Sequence, residues 1–146
     1  IETRLRPTSR NASGQILASI EDVKEAMVEV ARHADRKLAI LTQDLKSEVF
    51  DHPAFIDVVR HLCLARSFGR RLSSFVEFRH VHESYRGHHE AFMVADESAI
   101  VFRADADRWE GIADTAEPAI AKRYLNLFDE IWAVSKQATE FRQLRV

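Results

Sequence analysis

The spacing of apolar residues changes between the two halves of this chain, and that change limits the folds it can adopt. In the first half, short apolar runs alternate with apolar residues at helical spacing, as at Val23 and Met27. In the second half, short runs typical of strands follow one another closely, at 75–80, 90–95 and 99–102. The pattern predicts an α/β domain with a mixed β-sheet flanked by helices.

The first half predicts the order strand, helix, strand, helix. A strand at 15–18 precedes Ser19, which is typical of a helix N-cap, and a helix over about 20–35. A second strand at 37–45 precedes a helix over about 53–67 that begins at a proline. This order favours parallel strands joined by helical crossovers.

The second half predicts antiparallel pairing. The stretch 96–98 is short and turn-like, so we expect 89–95 to form a central strand antiparallel to 99–102. A last helix is predicted over about 118–134, with Pro118 in its first turn.

Composition narrows the classes of function. The chain has 146 residues, the size of one domain, and its formal charge of -2 makes nucleic acid an unlikely partner. No apolar run reaches the roughly 18 residues that a membrane span needs. Cys63, the single cysteine, lies in an apolar helical run, so we expect a buried thiol and a cytoplasmic protein.

The stretch that carries most information runs from His89 to Asp96, and an apolar run at 99–102 follows it. It resembles the H-x-K-x-x-x-x-D motif of the phospholipase D superfamily, and the pattern extends over roughly 15–134. In that family the histidine attacks phosphate, the lysine neutralises it and the aspartate supports the local structure. The resemblance implies a phospholipase D-like half-domain and, because single-motif members pair two copies, a homodimer.

The motif is degenerate in this chain. Ala91 stands at the place of the lysine, so the cation that would share a strand face with the histidine is lost. The downstream Gly, Ser and Asn of the family correspond to Arg103, Ala104 and Ala106. Only His89 and Asp96 match, and these two are the candidate catalytic residues.

The resemblance also implies a strand and a helix that this chain has no room for. Only about five residues separate Gly69 from the strand predicted at 75–80. We expect a discontinuity near 67–74, where a stretch of roughly 15–25 residues of the natural chain is absent, rather than a true deletion. Residues 1–14 are predicted to be an arm or linker, and 15–146 the phospholipase D-like domain.

Two other groups of residues are candidates for function. The histidines at 80, 82, 88 and 89 suggest a metal site, but no metal-binding motif supports one, and we expect neither a metal nor another cofactor. The polar loop after 99–102 suggests binding of a small anionic ligand. Its candidate ligand-binding residues are Arg103, Asp105, Arg108 and Glu110.

Three hypotheses for function remain open. The first is a catalytically inactive phospholipase D-like domain that serves as a binding or regulatory module of a bacterial protein. The second is an enzyme that uses His89 as acid or base with Glu90, Asp105 or Glu110 in chemistry foreign to the family. The third is an accessory C-terminal domain of a larger enzyme, such as an acyltransferase.

Overall fold

The computed structural model of the protein describes residues 14–67 and 77–138. The strands are β1 (Gln15–Leu17), β2 (Leu38–Leu41), β3 (Arg79–His80), β4 (Ala91–Ala95), β5 (Ala99–Arg103), β6 (Gly111–Asp114) and β7 (Lys136–Gln137). The helices are α1 (Ile20–Arg32), α2 (Ser47–Phe50), α3 (Pro53–Ser67) and α4 (Pro118–Val134). The α/β class predicted from the sequence is confirmed.

Five strands form one sheet in the order β1-β6-β5-β4-β2, and every neighbouring pair is antiparallel. The mixed sheet predicted from the sequence is therefore wrong, because this sheet is antiparallel throughout. β1 and β2 do point the same way, because four successive antiparallel pairings separate them. They lie at opposite edges of the sheet, so the crossover through α1 passes three intervening strands.

The sheet is covered on both faces, which explains why all five residues of β4 are buried. Met93 and Ala95 point toward α1 and belong to one apolar cluster with it. Phe92 and Val94 point to the other face and pack against the apolar stripe of α4. A strand buried on both faces shows a continuous apolar run instead of alternation, as 91–95 does. Since β5 is the middle strand, β4 is an inner strand next to the centre.

The helix boundaries follow from local chemistry. Ser19 caps α1: its Oγ accepts a hydrogen bond from the backbone N–H of Asp22 at 3.2 Å. The carboxylate of Asp22 accepts in turn from the N–H of Ala18 at 2.9 Å, a variant of the capping box. α3 and α4 begin at Pro53 and Pro118, as predicted. α1 ends at Arg32, three residues before the predicted end.

Three strand predictions need correction. The strand predicted at 37–45 is shorter in the structure, where β2 contains only the four apolar residues Leu38–Leu41. Of the run at 75–80, residues 77–80 are described, and among these only Arg79 and His80 form a strand, β3, which pairs with β7 in a separate ladder. The run at 99–102, predicted to be the last strand, is followed by β6, which lies between β5 and β1.

Two further predictions fall mainly outside the described residues. The arm at 1–14 is described only at Gly14, which directly precedes β1. The discontinuity expected near 67–74 lies beyond Ser67, the last described residue of α3. Both remain predictions.

Candidate functional site

Most of the predicted site residues lie at one end of the sheet, where β4 begins and β5 ends. Ala91 pairs with Arg103, so continuing this register places His89 beside Asp105. The backbone N–H of Ala106 donates to the carbonyl of His89 at 2.8 Å. This hydrogen bond joins the two chain segments at the open end of the hairpin that β4 and β5 form. His89 itself is exposed. This end, with the loop 104–110, is the candidate site.

Arg103 is the buried charged residue of this end, with 9% of its surface exposed. Its Nη1 donates to the carbonyl oxygens of Ala106 at 3.2 Å and Arg108 at 2.6 Å. The guanidinium carbon lies 4.9 Å from the ring centroid of Trp109. Arg103 thus holds the loop from inside, because one guanidinium satisfies two of its backbone carbonyls.

The electrostatic surroundings of Arg103 agree with this role. Burial lowers the pKa of its guanidinium, and the negative charges of Asp44 and Asp105 oppose that shift. Asp44 belongs to the loop after β2 and was not among the predicted site residues. Because β2 pairs with β4, the loop after β2 lies at the same end of the sheet, and no local sequence pattern indicates that proximity.

Of the other predicted residues in the loop 104–110, Arg108 and Glu110 face solvent and Asp105 is half-buried. Arg108 Nε donates to Glu110 Oε1 at 2.9 Å, and both side chains are more than half exposed. This hydrogen bond lowers the pKa of the Glu110 carboxyl. Asp105 accepts from the N–H of Asp107 at 2.9 Å and stabilises a local turn. The loop therefore presents charged groups that already pair with one another.

Where the chain leaves this loop, it passes very close to the backbone of β5, and only a glycine at position 111 allows that approach. A Cβ at this position would lie 2.3 Å from the carbonyl oxygen of Phe102 and 2.8 Å from Cγ of Arg103. No other residue type fits without a backbone shift. Gly111 was not predicted as part of the site, although an isolated glycine in a strand indicates a close backbone approach.

Asp96 lies at the opposite end of β4 from His89. Seven residues of extended chain span roughly 20 Å, so the two matching motif residues do not meet within one chain. Asp96 adopts a positive φ of 53° in the β4–β5 turn. Its carboxylate accepts from three consecutive backbone N–H groups, those of Asp35, Arg36 and Lys37, at 2.9, 3.0 and 2.9 Å.

These donors control the ionisation of Asp96. Burial by itself would raise the pKa of the carboxyl, but the N–H groups of Asp35, Lys37 and Arg36, helped by the charge of Arg36, hold it below its usual value. Asp96 also donates its own N–H to the carbonyl of Lys37 at 2.9 Å. The residue therefore joins the hairpin to the loop between α1 and β2.

The histidines that were predicted to form a cluster interact with different neighbours. His82 Nδ1 accepts from the N–H of Ser84 at 3.1 Å and caps a short 3-10 turn. His88 Nε2 lies 2.7 Å from Glu90 Oε1, an ion-pair distance, but the two groups are not aligned as a hydrogen bond. Within 14–67 and 77–138, no three His, Cys, Asp or Glu side chains are grouped to hold a metal ion.

Cys63 is buried with 4% of its surface exposed, as predicted, and burial raises the pKa of its thiol. His61 is exposed and directs Nδ1 to the carbonyl oxygen of Asp57 at 2.7 Å. The two side chains are therefore not arranged as a nucleophile and its base.

Together these elements define a three-layer α/β/α domain with an antiparallel sheet, in which α1 and α4 cover opposite faces. The family model of a domain of unknown function, DUF7931, matches residues 19–70 and 66–144, and the chain belongs to that family. No curated protein and no solved structure matches the chain. In the described part of the chain, no helix is long and apolar enough to cross a membrane.

Proposed function

We propose that this domain is a catalytically inactive, phospholipase D-like binding module, which carries its ligand-binding groups on the loop 104–110. The observation that carries the proposal is that Arg103 is buried and already hydrogen-bonded within the protein. It is the cation nearest in register to the place where the family motif has its lysine, and it is engaged with carbonyl oxygens of its own loop.

The absence of phosphodiester chemistry rests on the groups around His89. The Ala91 methyl group is buried and offers no charge to a phosphate. Losing one preorganised donor typically slows a reaction by about 10²–10³-fold. A homodimer, which the family resemblance implies, would bring two motifs with the same losses together.

The binding role rests on Arg108. It is the exposed cation of the loop, and its carboxylate partner Glu110 is exposed as well. An exposed ion pair of this kind contributes at most about 1 kcal/mol, so an incoming anion can take the place of Glu110 at low energetic cost. A guanidinium binds a phosphate or carboxylate group through two parallel hydrogen bonds. The proposed ligand is therefore a small molecule with such a group.

The catalytic half of the proposal is tested by hydrolysis of a bis-aryl phosphodiester. We expect no turnover above the buffer blank for the wild type, for His89→Ala, or for the control His33→Ala, which removes an exposed histidine at the end of α1. Turnover by the wild type and the control that disappears in His89→Ala would contradict the proposal. His89 would then be a catalytic residue.

The binding half is tested by titration with inorganic phosphate, followed by backbone amide shifts. We expect the shifts to concentrate in the loop 104–110 and to be lost in Arg108→Gln. Arg32→Gln is the matched control, because Arg32 is also exposed and paired with a carboxylate, that of Glu29 at 3.9 Å. Equal responses from both variants would indicate general surface charge and would refute a site at Arg108.

A further inference from the structure

We draw no further inference here: the strongest candidate, the exposed apolar strip that Ile16 and Ile112 form where β1 pairs with β6 on the sheet face opposite α1, carries nothing because nothing in the structure shows what covers it.

Discussion

Asp96 shows how one side chain can join segments that lie about sixty positions apart in the sequence. The resemblance to the phospholipase D motif assigned this aspartate a structural role, and the three backbone hydrogen bonds support that role. Its partners were not predictable from the sequence. Every residue type except proline provides a backbone N–H, so nothing in the sequence of 35–37 marks those groups as donors to a distant carboxylate.

We expect Asp96→Asn to destabilise the protein by about 1–2 kcal/mol at neutral pH, because it removes the charge from three hydrogen bonds on a partly exposed group. Asparagine tolerates positive φ, so the backbone conformation is preserved. Glu97→Gln is the control, since it removes the charge of the adjacent exposed carboxylate, which lies 4.0 Å from Lys122. Urea unfolding measures both variants. Equal losses would contradict a specific role of Asp96.

The same contacts give Asp96 a defined pH dependence. Its pKa is lower in the folded protein than in the unfolded chain, where an aspartate has a pKa of about 3.9. The stabilisation is therefore fully present above the unfolded pKa and is lost as pH falls through the folded one. We expect the stability difference between wild type and Asp96→Asn to shrink from pH 7 toward pH 3. A difference that stays constant over that range would refute this assignment.

Gly111→Ala should be strongly destabilising. The new methyl group would meet a backbone oxygen of β5, which cannot move without disturbing the sheet. We expect a loss of about 2 kcal/mol or more in the free energy of unfolding. Gly87→Ala is the matched control, because a Cβ there meets nothing within 4 Å, and it should be neutral or slightly stabilising. A mild effect at Gly111 would show that β6 can move away from β5.

At the scale of elements, the helices were more predictable than the strands. Each helix of more than ten residues has an apolar stripe and a start marked by serine or proline, so local chemistry alone locates it. β6 has neither feature. Its sequence, Gly-Ile-Ala-Asp, alternates only weakly, and it becomes a strand because β5 and β1 both hydrogen-bond to it. Because β6 occupies the place beside β1, the sheet that was predicted to be mixed is antiparallel throughout.

The N-cap of α1 gives a test at this scale. Ser19→Ala removes the acceptor for the N–H of Asp22 and should cost about 1 kcal/mol. Ser47→Ala is the control, since Ser47 is exposed in the first turn of α2, where no side chain forms a capping hydrogen bond. Thermal or urea unfolding compares the two. If Ser19→Ala matches the control, α1 does not depend on its cap.

For the whole molecule, Cys63 reports on whether α3 belongs to the same cooperative unit as the sheet. The thiol is buried and its raised pKa disfavours the reactive thiolate, so labelling of the native protein should be slow. α3 packs on α1 through Phe55, which is part of the core cluster. We expect the urea dependence of labelling to follow the global unfolding that tryptophan fluorescence reports. Labelling at clearly lower urea would mean that α3 detaches first.

The position of β1 at the far edge of the sheet has a consequence for synthesis on the ribosome. β1 pairs Gln15 with Ala113, so its partner is made about a hundred residues later. At about 5–20 residues per second, β1 waits several seconds for the strand it pairs with, whereas the β4–β5 hairpin closes almost as soon as it emerges. We infer that the sheet grows outward from this hairpin and that β1, the earliest of its five strands along the chain, docks last. During that delay the backbone groups of β1 that later pair with β6 stay unpaired and open to a chaperone.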